Sequence, residues 1–230
     1  MEQKMALIIG ASRGLGFAIV KEYLARDWQV VATAPENSRT ALQELAERSS
    51  GQLEVETLDI TDTDQIAALK HRLQDRQFDL LFVNAGVSTD RPEPIGEVST
   101  EEFIRVMVTN ALSPMRVVET FETNVAANGT IGVMSSGQGS IADNNGGGIE
   151  LYRASKAALN MLMRSYAARH SQDSRSLLLI APGWIKTDLG GPNARYSIEE
   201  AIPRVVDTIN AQANKSGLQY LDQFGKVVNW

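Results

Sequence analysis

The chain contains no cysteine. That removes disulfides, thiolate metal sites, iron–sulfur clusters and cysteine nucleophiles together, and it fits a reducing compartment. There is no surplus of positive charge: 22 lysines and arginines stand against 28 aspartates and glutamates, a formal net charge of −6. Nucleic-acid binding calls for a basic excess or a dense basic patch, and neither is present. No run approaches the ~20 apolar residues of a membrane span; the longest, 80–83 and 177–181, have the length of strands. The apolar stretch 5–9 is too brief for the core of a signal peptide and leads straight into a glycine motif, so a cytoplasmic protein is expected. Repeats, linkers and low-complexity tracts are missing too. The two histidines, His71 and His170, lie on polar, exposed-looking helical stretches away from any ligand set, and no metal site is expected. What remains is 230 residues of ordinary globular composition, 43% hydrophobic and 22% charged. That is material for one domain over 1–230 whose core needs no staple.

Short β-rich runs alternate with helix-like runs. Strands are expected at 5–9, 29–33, 53–58, 80–83, 130–134 and 176–180. Helices are expected at 16–26, 38–48, 62–74, 100–124, 151–169 and 198–213, with Ser99 and Glu102 spaced as a capping box. Alternation of this kind, with strands apolar along their whole length, predicts βαβ units. The expected fold is α/β, a doubly wound Rossmann-type domain whose parallel sheet is covered by helices on both faces. Gly10-Ala11-Ser12-Arg13-Gly14-Leu15-Gly16 joins the first strand to the first helix. A phosphate needs backbone N–H donors at a helix N-terminus and a backbone that can come close to it, and glycine permits both. An ordinary tight turn would use the same glycines, but the place after the first strand of an alternating chain favours a nucleotide.

Further motifs follow in register. Asn84-Ala85-Gly86 comes after the fourth strand, Asn110 lies on the next helix, Ser135-Ser136 follow the fifth strand, Tyr152-Arg153-Ala154-Ser155-Lys156 opens a helix, and Pro182-Gly183 follow the sixth strand, with Thr187 soon after. With the G-x-x-x-G-x-G spacing of the glycine turn, this order resembles the classical short-chain dehydrogenase/reductase family from Lys4 to the end of the chain. The stretch 182–192 and the ending 217–230 are similar to its C-factor/sniffer carbonyl-reductase branch.

The resemblance implies an oxidoreductase that moves a hydride between a nicotinamide and a carbonyl or secondary alcohol. Tyr152 would be the general acid and base, beside Lys156, which would also hold the nicotinamide ribose. Four residues apart on a helix, the two side chains share a face. A phenol has a pKa of about 10, and lowering it by ~3 units takes about 4 kcal/mol. One cation ~4 Å away at an effective dielectric of ~20 supplies a similar amount, so the phenol is expected to be acidified by Lys156, helped by the positive oxidised nicotinamide. Ser136, in S-x-x-G spacing, would position the substrate carbonyl, although Ser135 fits S-x-x-x-G. Asn110, a polar break in an apolar helical face, would hold a water beside Lys156 through its backbone carbonyl, or else is a satisfied core amide. Gly10, Ser12, Arg13, Gly14, Leu15 and Gly16 would cradle the cofactor, with Asn84, Ala85 and Gly86 beneath its ribose. Asp59 and Ile60 would lie at the adenine, unless Asp59 is simply a helix N-terminal acid. Pro182, Ile185 and Thr187 would meet the nicotinamide carboxamide.

The cofactor choice rests on the end of the second strand. Readers of NAD place an acid about 20 residues beyond the glycines; that slot is Ala34, with Glu36 further on behind Pro35. Arg13 sits in the glycine turn, where a guanidinium suits a 2′-phosphate, with Arg39 the nearest second cation. NADP is preferred and NAD remains open. Tyr152 stands further from Ser136 than is common in the family, and 143–148 is expected to be an inserted loop bordering the pocket. The pocket wall would come from 87–96, that loop and 184–195, with Trp184 lining it and Asp90, Arg91 and Arg195 as polar contacts. The expected partners are a small-molecule carbonyl substrate and a second copy, as homodimer or homotetramer, with neither nucleic acid nor membrane. A different class stays open: a dinucleotide-binding signalling or sensor protein with weak or no turnover. Trp230 is either a tail anchor or a frayed end.

Overall fold

A computed structural model describes residues 3–38, 40–89 and 94–230. Arg39, Asp90 and Arg91, named above, lie outside the described residues. Seven strands, β1 (Met5–Ile9), β2 (Gln29–Ala34), β3 (Leu53–Thr57), β4 (Phe78–Val83), β5 (Val125–Met134), β6 (Ser176–Ala181) and β7 (Gly217–Asp222), form one sheet. Its order is β3-β2-β1-β4-β5-β6-β7, and every pairing is parallel. The helices are α1 (Gly14–Ala25), α2 (Thr40–Glu47), α3 (Thr63–Arg72), α4 (Thr100–Met107), α5 (Ser113–Phe121), α6 (Glu150–Arg169) and α7 (Ile198–Ala211).

Period-two alternation along the strands divides the core. Leu7, Ile9, Leu81, Val83, Leu177 and Leu179 face one side, against Ile66 and Leu69 of α3, Val117 and Phe121 of α5, and Leu159 and Met163 of α6. Ala6, Ile8, Leu80, Phe82, Leu178 and Ile180 face the other, against Ile19 and Tyr23 of α1, Leu42 of α2 and Val205 and Ile209 of α7. Strands buried on both faces must be apolar throughout, which is why this alternation was readable. The chain winds outward from β1 in both directions, so a crevice opens beyond the carboxyl ends of β1 and β4, where doubly wound sheets bind ligands. Among the described residues no helix is long and apolar enough to cross a membrane.

Three features depart from the expectations. The seventh strand was not expected: Gly217–Asp222 carries glycine, glutamine and aspartate and pairs on one side only, with β6, so it lacks the all-apolar signature of the inner strands. The helix expected over 100–124 is three pieces, α4, a π turn at Val108–Leu112 and α5, followed by a short 3-10 turn. Pro114 explains the break, because it has no N–H to give the Asn110 carbonyl four residues back. At its start, Ser99 accepts from the Glu102 N–H at 3.1 Å, while the Glu102 carboxylate takes Arg105. His170 is not an open surface residue; it is half-buried and stacked on Tyr166, ring centroids 4.2 Å apart.

Candidate active site

The glycine turn is held by close backbone approach. The Gly10 N–H donates to Thr33 Oγ1 at 3.1 Å, and Asn84 Nδ2 donates to the Gly10 carbonyl at 2.9 Å. Gly10 has φ +83°, and a Cβ there would stand 2.6 Å from the Ala85 Cβ. At Gly16 a Cβ would meet the Gly10 carbonyl oxygen at 2.2 Å. The expected ligand segment Asn84-Ala85-Gly86 thus lies directly against the turn. Arg13 is the extended N-cap of α1, gives no side-chain cap, and no acid occupies the first turn. The first-turn N–H groups, with Ser12 and Leu15 around them, therefore have no capping side chain from Arg13. An uncapped, acid-free helix N-terminus behind a glycine turn that a Cβ would fill suits the diphosphate of a dinucleotide.

Beyond the ends of β2 and β3 lies a cavity of about 650 Å³ lined by Pro35, Glu36, Asn37, Thr57, Asp59, Gln65, Ala68 and Arg72. It is sized for the adenosine end of such a ligand. Asp59 lies at its wall, its Oδ1 accepting from the Thr61 N–H at 2.9 Å and hydroxyl at 2.7 Å; Ile60 is buried below. Ala34, in the slot for a ribose-binding acid, is fully buried. Glu36 takes the Thr57 hydroxyl at 2.9 Å. Arg13 reaches across the crevice instead, Nη1 3.1 Å from the Asp188 carboxylate, with both side chains exposed. A pair so exposed is weak and exchanges readily.

The other end of the crevice gathers Asn110, Ser136, Tyr152 and Lys156. Tyr152 and Lys156 are one turn apart on α6, with the Lys156 Nζ 5.9 Å from the phenol ring centroid. Ser136 follows β5 and hydrogen-bonds Tyr152, while its Oγ accepts from the Gln138 N–H at 3.2 Å. Ser135 points away, its hydroxyl donating to Asn160 Oδ1 at 2.6 Å in the core. Asn110 is fully buried and satisfied: Nδ2 donates to the Val87 carbonyl at 2.8 Å and to Ser155 Oγ at 2.9 Å, and Oδ1 accepts from the Val87 N–H at 2.8 Å. Its side chain therefore fixes the segment after β4, while Pro114 has no N–H to give its backbone carbonyl. Gly86 closes the group, since a Cβ there would lie 3.3 Å from Asn110 Oδ1 and 3.4 Å from Lys156 Nζ.

The electrostatics correct one expectation. Lys156 is buried, donates to the Met134 carbonyl at 3.0 Å, and burial lowers its pKa to about 8. The Tyr152 phenol is not acidified: burial raises its pKa above the ordinary value of 10.0, and the Ser136 hydrogen bond offsets this only partly. Burial disfavours the charged phenolate, and the Lys156 ammonium bonds the β5 carbonyl. At neutral pH Tyr152 is a protonated phenol.

After β6, Pro182 and Gly183 (φ +90°) turn the chain, Ile185 is buried in an isolated bridge with Tyr196, and the Thr187 hydroxyl accepts from the Gly190 N–H at 3.0 Å. Of this stretch, Thr187 with Lys186, Asp188, Gly191 and Pro192 joins Gly14 and Ile198 in lining a second cavity of about 410 Å³. The structure thus brings Gly86, Asn110 and Lys156 together at one point, and sets Thr187 close to Gly14 of the glycine turn. The family model for short chain dehydrogenase matches residues 4–196. The chain belongs to that family. As a short-chain dehydrogenase it is an enzyme, an oxidoreductase. It is similar to a short-chain dehydrogenase/reductase from Burkholderia multivorans solved with bound NADP, at 55% identity over 100% of both chains with a TM-score of 0.98. It is also similar to a carbonyl reductase from Pseudomonas aeruginosa PAO1 in complex with NADP, at 33% identity over 100% of both chains with a TM-score of 0.92. Among curated proteins it resembles the C-signal of Myxococcus xanthus, 35% identical over 66% of this chain and 92% of that one.

Around this dehydrogenase site, Trp184 is exposed and donates its indole N–H to the Gly190 carbonyl at 2.7 Å. Arg195 stacks on Tyr196. The segment 143–148 is an exposed turn before α6, tied by Arg153 Nε to the Gly147 and Gly148 carbonyls at 3.0 Å. Trp230 is an anchor: its carbonyl accepts from the Ala142 N–H at 3.0 Å, its ring lies against Tyr220, and the Arg164 guanidinium covers it. Tyr220 and Gln223 escaped the sequence reading because the strand that carries them did.

Proposed function

We propose that this enzyme is an NADP-dependent reductase of small carbonyl compounds, with Tyr152 as proton donor. The observation that carries the reading is the convergence of a neutral phenol, a serine hydroxyl and a buried ammonium at the same crevice as an uncapped glycine-turn helix. The bound NADP in the two solved relatives supports the cofactor, and Arg13, released from its exposed pair with Asp188, is the cation for the 2′-phosphate. When bound, the nicotinamide supplies the hydride to the carbonyl carbon. The chain's own part is to hold and protonate. Ser136 donates to the carbonyl oxygen, and Tyr152 gives that oxygen its proton. Lys156 holds the nicotinamide ribose hydroxyls and favours the phenolate as it forms. The Asn110 carbonyl holds a water that passes a proton from solvent toward Lys156. Asp59 and Ile60 border the adenine, and Pro182, Ile185 and Thr187 the carboxamide.

We place this chemistry in one domain over 1–230, in the cytoplasm, and in a homodimer or homotetramer. The apolar side chains exposed on α4 and α6, Phe103, Ile104, Met161 and Leu162, support self-association, and light scattering after size exclusion checks it. The function is tested by titrating the protein with NADPH and NADH, then following NADPH oxidation against aldehydes, ketones and quinones. Tight NADPH binding with turnover of one carbonyl class is expected. The likeness to C-signal favours a second reading, a nucleotide-binding signalling protein; NADPH binding without turnover on any carbonyl would select it.

A further inference from the structure

The strand β7 lies at the edge of the sheet, yet it sends two buried donors into the site. Tyr220 is 1% exposed, and its hydroxyl donates to the backbone carbonyl of Ser136. Gln223, in the turn after the strand, is 2% exposed. Its Nε2 donates to the backbone carbonyl of Pro182 at 2.9 Å, while its Oε1 has no protein partner. Both acceptors belong to loops that carry reacting-end residues, one after β5 and one after β6. Both donors are themselves held. The Tyr220 ring lies 5.4 Å from that of Trp230, which Arg164 and the Ala142 N–H fix in place. The Gln223 carbonyl accepts the Thr208 hydroxyl at 3.1 Å. Gly183 is shaped to this neighbour, for a Cβ there would stand 2.7 Å from Gln223 Nε2.

Packing alone does not call for these groups. A phenylalanine and a methionine would fill the same volume without burying polar atoms, and a buried polar group costs free energy unless it is bonded. The amide of Gln223 satisfies only one of its two ends, so what it achieves is to fix the Pro182 carbonyl. The loops after β5 and β6 carry reacting-end residues at the carboxyl ends of their strands, where a displacement of an ångström at a reacting group is costly.

We propose that Tyr220 and Gln223 are positioning residues for the reacting end of the site, Tyr220 fixing the Ser136 turn and Gln223 fixing the Pro182–Gly183 turn. This rests on the reductase reading above. The test compares wild type, Tyr220→Phe, Gln223→Met and Trp230→Leu, the last a surface route to the same Tyr220 ring. Each is measured with NADPH and a carbonyl that the wild type reduces, and each is titrated with NADPH and with 2′,5′-ADP, which lacks the nicotinamide half. A lost hydrogen bond of this kind translates to about a tenfold effect. Tyr220→Phe is expected to lower kcat about tenfold with both nucleotide affinities held. It should also move the pH limb of kcat upward, because a looser Ser136 leaves the Tyr152 phenol less well bonded. Trp230→Leu shifts kcat in the same direction by less. Gln223→Met weakens NADPH about fivefold or more and leaves 2′,5′-ADP unchanged. Equal weakening of both nucleotides, or kcat and NADPH affinity at wild-type levels with an unmoved pH limb, overturns the proposal. A wild type without turnover, or a fully active Tyr152→Phe control, overturns the reductase reading instead.

Discussion

Lys156 makes the structure's sharpest prediction, because the group on which the chemistry depends is one the fold holds at a cost. Its side chain is 3% exposed, and among the described residues no carboxylate pairs with it. Burial lowers its pKa from 10.5 to about 8, which corresponds to about 3 kcal/mol of penalty on the charged form. Lys156→Met keeps most of the volume and removes that penalty, while the lost bond to the Met134 carbonyl returns about 1–2 kcal/mol. At pH 7, without nucleotide, the variant is therefore expected to be more stable by about 1–2 kcal/mol, although its activity collapses. The pH dependence fixes the cause. The folded pKa is depressed below the unfolded one, so the penalty is fully present below about pH 8, where both states are charged. It fades as pH rises toward 10.5, where the unfolded state also becomes neutral. Across that window the wild type gains about 3 kcal/mol on the variant, and the order of stability reverses. Urea unfolding followed by tryptophan fluorescence, run on both proteins at pH 7, 9 and 10, measures the difference directly. A gap that stays constant with pH, or a variant less stable at pH 7, refutes the account of a desolvated, unpaired ammonium.

Other consequences are simpler to read. Tyr152→Phe is expected to keep NADPH affinity within severalfold while kcat falls by about 10²-fold or more, the usual scale of general acid catalysis; stopped-flow NADPH oxidation decides it. Gly16→Ala places a methyl group 2.2 Å from the Gly10 carbonyl, so the turn must open. A lower Tm and loss of NADPH binding should appear together, and an unchanged protein would remove the cradle argument. Arg13→Ala should weaken NADPH by about tenfold or more, as for a charged hydrogen bond to phosphate, and leave NADH untouched. Equal effects on the two cofactors would show that Arg13 does not read the 2′-phosphate.

How far the sequence reached depends on which physical signal each feature leaves. The inner strands were legible because burial on both faces makes them largely apolar, β3 because its leucine, valine and threonine alternate with glutamates, and the glycine turn because close backbone approach tolerates only glycine at Gly10 and Gly16. Spacing put Tyr152 and Lys156 on one helical face, but it was the register of motifs shared with the family that singled them out. The edge strand β7 was not, since glycine, glutamine and aspartate interrupt its apolar residues, and with it went Tyr220 and, just beyond it, Gln223. The choice between Ser135 and Ser136 is invisible in composition; it is made by the alternation at the end of β5, which turns one hydroxyl to Asn160 in the core and the other to the crevice. The break at Asn110 did have a signal. A proline four residues after a buried amide removes that residue's helical donor, and Pro114 stands in that place. The upward push on the phenol was not legible because pair spacing says how near two groups are, but not how deeply the fold buries them.

These departures from local rules share one location. A π turn in a helix, an asparagine inside a core, an ammonium without a counter-charge and a helix without a cap would each be a fault anywhere else in an α/β sheet. Here they all border the crevice beyond the carboxyl ends of β1, β4, β5 and β6. Asn110 bonds Val87 and Ser155, Lys156 bonds the end of β5, and Asn84 bonds Gly10, so the irregular groups support one another across elements that are far apart in sequence. It follows that the site and this end of the fold form one cooperative unit. Removing any of these side chains should act on several motifs together, and double-mutant cycles between Asn110 and Lys156 should depart from additivity more than cycles between either and Asp59, which sits at the far cavity.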